Sequence, residues 1–440
     1  MFWLEFMVVI LMLLIGVRYG GIFLGMIGGL GLAILTFAFG LTPSSPPVDV
    51  MLIIISVVVA TAALQAAGGM DYLVSIAEGI LRKKPARISF IAPIVTYLFT
   101  FLAGTGNVAF SLIPVIAEVA RESGVRPERP LSISVIASQQ AIIACPISAA
   151  TVAMVGMLSP YHISLIDILK VCIPATFIGV LAGALYASRM GKDLDKDEEF
   201  LDRVARGEVP AVFSEKTVKR EFSKESKLSV ALFLLAAFIV VTLGAFPELR
   251  PLVNSAGKLA PLSMTNTIEI VMLLMSALMV MTCKIKTDKI IECSVFRSGM
   301  MGVVCIFGLA WLGDTLVAAN IGFIKNSVEG LVSAYPWIFA IALFAVSILI
   351  LSQAATVRAL MPLGIALGIP AGSLIGMFPA VNGYFFVPSY ATLLAGVAFD
   401  RTKTTKIGKY VVDHSYMMPG LITTIVSVSI GLLLGKTLIP

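Results

Sequence analysis

Two short segments carry most of the chemistry-bearing residues in this chain. Gly104-Thr105-Gly106-Asn107 interrupts an apolar stretch over 88–122, and Ser352-Gln353-Ala354-Ala355-Thr356 interrupts another over 336–368. Each supplies hydroxyls and amides, and each precedes a renewed helical pattern. A helix that begins at such a break presents free N–H groups and a partial positive charge, which suits an anion. Two such N-termini meeting from opposite faces make a site for a small molecule with two carboxylates. Thr105 and Asn107 on one break, and Ser352, Gln353 and Thr356 on the other, are therefore candidate binding residues. Arg358, six residues past Ser352, offers fork-like pairing to a carboxylate. Its alternatives are a snorkelling side chain or a partner for a protein acid.

A second pair of breaks lies further along each half. Cys145-Pro146 and Val387-Pro388 interrupt helix hydrogen bonding. Ser148, Ser389 and Tyr390 follow directly, and Ser138-Gln139-Gln140 and Asn382 precede them on the same spans. Ser148, Asn382, Ser389 and Tyr390 join the candidates. The alternative is an ordinary proline kink with a serine satisfying the freed carbonyl. Asp314, in AWLGDTL, is a candidate for a coupling cation or proton; otherwise it is a helix-end acid. Cys145, Cys172, Cys283, Cys293 and Cys305 have no zinc spacing and read as packing residues, and His162 and His414 are too far apart to imply a metal. No nucleotide or dinucleotide motif is present, so neither metal nor cofactor is expected.

The elements that position these residues follow from composition. The chain is 58% hydrophobic and 13% charged, with net charge +6 and mean hydropathy +0.98. A soluble domain is nearer half apolar and a quarter charged. Apolar runs of about 20 residues recur throughout, the signature of membrane helices, and the alternating segments of a membrane β-barrel are absent. The lipid bilayer, not nucleic acid, is the expected surrounding. MFWLEFMVVILMLLIGVRYG carries Glu5, no leading basic residue and no small-residue cleavage site, so it reads as a first membrane helix, not a signal peptide. The expected spans are 2–17, 20–41, 49–67, 88–122, 131–158 and 163–187, then 228–247, 265–283, 299–319, 336–368, 372–399 and 411–436, with connecting segments 70–83 and 320–334.

The second series repeats the first. GTGNVAFSLIP at 104–114 and SQAATVRALMP at 352–362 each place Pro ten positions after the break begins. If 88–122 and 336–368 each enter and leave on one side, each half crosses five times, and an odd count inverts the second half. A non-helical turn at that depth is tolerable only when protein shields it or it lines a wet cavity. With residue 1 outside, 26 of the 32 Lys and Arg fall in loops predicted inside, as the positive-inside rule requires. The expected fold is an all-α polytopic membrane protein of two inverted repeats, each of five transmembrane helices plus one re-entrant helical hairpin. The repeats are 1–187, with hairpin 88–122, and 228–440, with hairpin 336–368. The charge-dense linker 188–227 lies inside and both termini outside.

GVRYGGIFLGMIGGLGLAIL, PPVDVM, AGTGN followed by IPVIAEVA, RPERPLS, SQQAIIACPISAA, AWLGDT, SQAATVRALMP and TTKIGKYVVDHSYMMPG together resemble the anaerobic C4-dicarboxylate (Dcu) transporter family, chiefly its aspartate/fumarate and fumarate/succinate branch. The likeness spans nearly the whole chain. It implies a bacterial inner-membrane antiporter that takes up fumarate, malate or aspartate and releases succinate in anaerobic respiration, without a cofactor. It also implies the paired hairpins and elevator-like motion of the wider ion-transporter superfamily, with Thr105, Asn107, Ser352, Gln353 and Thr356 at the substrate carboxylates. Sodium-coupled relatives carry Ser-Asn-Thr at both tips; GTGN and SQAAT depart from that and point toward exchange or proton coupling. Some family members partner a membrane sensor kinase, and helices outside the carrier core could form a homodimer. The rival readings are a carrier of another organic anion and a dicarboxylate-sensing membrane subunit. A membrane enzyme is disfavoured, because no catalytic constellation stands out.

Overall fold

The computed structural model describes residues 1–19, 22–46, 48–106, 108–209, 221–255, 258–335, 337–350, 352–387, 390–408 and 413–439. In the first half, α1 (Phe2–Tyr19), α2 (Phe23–Ala33) and α3 (Val48–Ala66) precede α4 (Gly69–Leu81). α5 (Ile88–Ala103) and α6 (Val108–Glu122) follow, then α7 (Glu128–Ala144), α8 (Ala149–Leu158) and α9 (Leu165–Ala187). The linker contains a short helix, α10 (Glu198–Ala205). The second half comprises α11 (Lys224–Ala245), α12 (Met264–Thr282), α13 (Thr287–Glu292), α14 (Ser294–Ala334), α15 (Ile338–Ile350), α16 (Gln353–Ala366) and α17 (Ala371–Met377). A 3-10 segment (Phe378–Phe385), α18 (Ala391–Phe399) and α19 (Met417–Leu438) complete it. Among the described residues, seven helices are long and apolar enough to cross a membrane.

Both interrupted stretches fold as helical hairpins. α5 ends at Gly104, whose φ of +69° is a left-handed conformation that glycine adopts without a Cβ penalty. The two ends of this hairpin meet: Arg82, just ahead of α5, bonds Glu122 at the end of α6 at 2.7 Å. In the second hairpin, Phe339 at the start of α15 lies against Gly364 near the end of α16. The arms have 16, 15, 13 and 14 residues. At 1.5 Å per residue they are about 20–24 Å long, and α5 with the turn ahead of it, Pro85–Ala103, is one of the seven helices counted above.

Packing is reciprocal between the halves. The first arm of each hairpin lies on the broken helix of its own half, α5 on α7 and α15 on the 3-10 segment. The second arm lies on the far side of the other half's break, α6 on α18 and α16 on α8. α9 packs along α19, α2 along α14, and α3 along α12. Small residues allow close approach: Gly308 of α14 meets the Gly25 carbonyl of α2, and Gly376 of α17 meets Gly431 of α19, with no room for a Cβ at either.

Two expectations change. The connecting segment 70–83 does separate as α4, bent 72° from α3 at Gly68, where φ is +75°. Its expected counterpart, 320–334, does not separate; α14 runs unbroken for 41 residues, because no left-handed glycine or proline interrupts it. A β-hairpin, β1 (Leu252–Ser255) paired antiparallel with β2 (Lys258–Pro261), stands between α11 and α12 where only a loop is expected.

Candidate functional site

The site is built around Gln139, a buried residue on α7. Gly106 of the first hairpin tip lies so close that a methyl group there would stand 2.7 Å from Gln139 Nε2. Gln353, the first residue of α16 at the second tip, donates its Nε2 to the Gln139 carbonyl at 3.0 Å and lies 3.2 Å from Gln139 Oε1. The same nitrogen donates to Asn382 Oδ1 at 2.5 Å. Asn382 is buried where the 3-10 segment departs from helical geometry (φ −103°, ψ 31°) and donates to the Pro379 carbonyl at 3.3 Å. The Tyr390 phenol, just past the second break, approaches the Gln139 side chain, and its ring lies tilted against Tyr384, with centroids 4.9 Å apart. Both hairpin tips and both broken helices thus converge on one amide.

Several polar atoms here lack a hydrogen-bond partner among the described residues: Gln139 Nε2, both amide atoms of Gln140 and the Tyr384 hydroxyl. A buried polar group without a partner is costly, more so in an apolar surround. Donors left in this state at a meeting of helix N-termini are suited to donate to an anion's oxygens.

The other candidates divide. Ser352 caps α16, its Oγ accepting from the Ala355 N–H at 3.3 Å, and Thr356 Oγ1 bonds back to the Ser352 carbonyl at 2.8 Å. Ser148 caps α8, accepting from the Thr151 N–H at 3.2 Å, while Thr151 Oγ1 takes up the Ile143 carbonyl at 3.0 Å. Ser148 Oγ also donates to Thr151 Oγ1 at 3.0 Å, so the freed carbonyl is taken by Thr151 and not by Ser148. Thr105 is half-buried and lines a cavity of about 120 Å³ with Ile54, Val58 and Thr61 of α3, Ala149 of α8 and Gly299 of α14. Asn107 and Ser389 lie outside the described residues.

Arg358 and Asp314 sit on neighbouring helices, α16 and α14. α16 packs on α14, and a methyl on Gly313 would stand 3.8 Å from Ala359 Cβ. The Arg358 charge acts on the Asp314 carboxylate across this contact. Asp314 sits in the middle of the 41-residue α14, six residues before the end of its apolar span Val295–Asn320. Gln139 is the residue that the candidate set omits; its signal is the Ser-Gln-Gln run ahead of the Cys-Pro break.

A separate polar assembly forms at Glu128, the first residue of α7. Glu128 accepts from Arg126 Nε and from Ser415 Oγ, both at 2.6 Å, and Arg126 also pairs with Asp197. Arg203 of α10 donates to the Thr402 and Lys403 carbonyls at 3.2 and 3.0 Å.

Apolar helices throughout, two paired hairpins and an amide-lined interior convergence define a helical, multi-pass membrane transporter. The family is shown by the sequence: the chain belongs to the family described as anaerobic C4-dicarboxylate membrane transporter, whose model matches residues 1–439. It is 44% identical over 436 residues, 99% of each chain, to the C4-dicarboxylate transporter DcuA of Wolinella succinogenes. It is 41% identical over 439 residues, 98% of each chain, to the anaerobic C4-dicarboxylate transporter DcuB of Escherichia coli O6:H1. Among solved structures, the Alcanivorax borkumensis YdaH transporter shares the fold at TM-score 0.55 and 15% identity, covering 87% of this chain and 84% of that one. Neisseria gonorrhoeae MtrF does so at TM-score 0.52 and 12% identity, covering 91% and 84%. The homologues are membrane transporters, not enzymes.

Proposed function

We propose that this chain is an antiporter of the bacterial inner membrane, exchanging external fumarate, malate or aspartate for internal succinate. The observation that carries the site is the meeting of Gly106, Gln353 and Tyr390 at Gln139, with Asn382 joined to it through Gln353. Neutral amide donors and helix N-termini balance two carboxylates without the desolvation cost of several fixed charges. Thr105, Asn107, Gln353, Asn382 and Tyr390 are the proposed substrate contacts, with Ser148, Ser352, Thr356 and Ser389 shaping the helix ends around them.

The reciprocal packing supports an inverted-repeat plan over 1–187 and 228–440, joined by the 188–227 linker. In this reading the hairpins and broken helices move as one unit, elevator fashion, along the remaining helices. Contacts among the basic loops support a cytoplasmic linker and periplasmic termini: Arg82 reaches Glu122, Arg126 reaches Asp197, and Arg203 reaches Thr402. Loops on opposite faces of a bilayer could not touch. Proteoliposomes loaded with succinate should take up labelled fumarate or aspartate much faster than empty ones. Equal rates would reject exchange, and a competition panel of other organic acids tests the substrate class.

A further inference from the structure

A polar pocket of about 740 Å³ lies where three apolar spans end. Pro85–Ala103 and Glu128–Tyr161 begin beside it, and Leu165–Ala187 stops just short of it. Span ends mark the depth at which hydrocarbon gives way to lipid headgroups. The walls are the start of α5, the turn after α6 and the first residues of the linker. Phe90 on the wall, and Leu185 and Tyr186 at the end of α9, are large apolar side chains left exposed there, as on a surface that meets lipid.

The linker wall is held in place. Arg129 donates to the Met190 and Gly191 carbonyls at 2.6 and 2.9 Å and pairs with Asp193 at 2.6 Å, and the Leu194 N–H donates to the Gly124 carbonyl at 3.0 Å. The charges of Arg129 and Asp193 thereby cancel. Two others on the wall remain: among the described residues, neither Arg87 nor Asp195 makes an ion pair or a side-chain hydrogen bond. Ser89 also lines the pocket. It is only 7% exposed, yet its hydroxyl makes no hydrogen bond among the described residues. The Pro85 carbonyl, four residues back, already accepts the Ile88 N–H. A buried hydroxyl in this state calls for a ligand atom to bond.

We propose that this pocket binds the headgroup of a membrane phospholipid carrying both a phosphate and a primary ammonium, a phosphoethanolamine. Arg87 offers the phosphate a fork of N–H donors. The Ser89 hydroxyl adds another, as does the first turn of α5, a 16-residue helix whose start has no side-chain cap. Asp195 takes the ammonium. A headgroup with a phosphate alone would leave Asp195 facing an anion, and a trimethylammonium has no N–H to give the carboxylate. Free phosphoethanolamine shares this chemistry, but only the lipid uses the exposed Phe90, Leu185 and Tyr186, along which its acyl chains run into the bilayer. The bound lipid then ties the base of the first hairpin to the linker.

The test uses the full-length protein purified in detergent. The probes are dioctanoyl phosphatidylethanolamine, phosphatidylglycerol and phosphatidylcholine, with free phosphoethanolamine as the soluble arm, each titrated and counted by native mass spectrometry. Wild type should hold phosphatidylethanolamine about tenfold or more tighter than any other probe. R87Q should weaken that binding about tenfold, and D195N should bring phosphatidylethanolamine and phosphatidylglycerol within about twofold of each other. Arg87 and Asp195 are both exposed, so neither substitution disturbs buried packing. K170Q, at the opposite end of α9, should leave every affinity unchanged. Equal affinity of wild type for phosphatidylethanolamine and phosphatidylglycerol overturns the proposal, as does phosphatidylethanolamine binding that survives both R87Q and D195N. A loss in K170Q equal to that in R87Q would show a general charge effect and overturn it too. Free phosphoethanolamine binding as tightly as the lipid would overturn the assignment to a lipid.

Discussion

The Gln353 side-chain nitrogen lies 2.5 Å from Asn382 Oδ1 while also donating to the Gln139 carbonyl at 3.0 Å. One amide at the second hairpin tip thus joins the broken helices of both halves. Without it, three buried polar groups lose a shared partner, a loss of roughly 1–3 kcal/mol. Gln353→Ala should raise the substrate KM roughly five- to a hundredfold at normal membrane insertion, and Asn382→Ala should do likewise. Uptake kinetics in vesicles check this; unchanged KM in both variants would remove these residues from the site.

Gly106 gives a steric test of the other tip. A methyl group at this position would press on Gln139 Nε2 at 2.7 Å and on Ile142 Cδ1 at 3.2 Å. Gly106→Ala should therefore weaken substrate affinity by displacing the central amide. Gly156, on α8, meets nothing within 4 Å, so Gly156→Ala should instead stabilise its helix by up to about 1 kcal/mol and leave KM alone. Parallel measurement of KM and thermal unfolding in detergent separates the two effects.

The breaks were legible because their causes are local. Gly104 has to take positive φ, Ser352 has the side chain of a cap, and Pro146 has no N–H to give, so each marks a helix end in one dimension. The centrality of Gln139 was not legible, because it arises where four separate segments meet and no local pattern encodes that meeting. Thr356 looked available by residue type, but its hydroxyl is spent on the Ser352 carbonyl one turn back, a choice that depends on rotamer. The unbroken course of α14 through 320–334 was missed for a related reason: mixed polarity resembled a connector, while the backbone held no device to stop the helix.

The Glu128 assembly makes a stability prediction. Glu128 is buried, and its carboxylate holds both Arg126 and Ser415. Glu128→Ala leaves Arg126 sharing Asp197 alone, and removing one partner from a buried pair costs up to about 3–5 kcal/mol. The unfolding midpoint in detergent should fall clearly. Lys192→Ala breaks only the exposed pair with Glu198 and should shift stability by less than about 1 kcal/mol. Equal shifts for the two variants would show that the assembly adds nothing beyond surface charge.

His414 sets the expected pH response of the loop that joins α18 to α19. Its Nδ1 accepts from the Tyr416 N–H at 3.2 Å, and its side chain is buried. Burial lowers its pKa below the ordinary 6.5, while the Phe386 main chain and the Asp413 carboxylate pull in the opposite direction. Asp400 and Glu128 supply the nearby acidic groups around Tyr416, and Lys406 lies on the same loop, donating its N–H to Ser415 Oγ at 2.9 Å. The sign follows from proton counting. The folded state keeps His414 neutral at a pH where the unfolded chain has begun to bind a proton. Its contribution is complete above about pH 6.5 and declines as pH falls from there toward the lower, folded pKa. The unfolding midpoint should hold level from pH 8 to 6.5 and then drop before the carboxylates titrate. His414→Gln retains an amide acceptor for the Tyr416 N–H and cannot be protonated, so it should flatten that drop. An identical profile in the variant would assign the acid sensitivity to other groups.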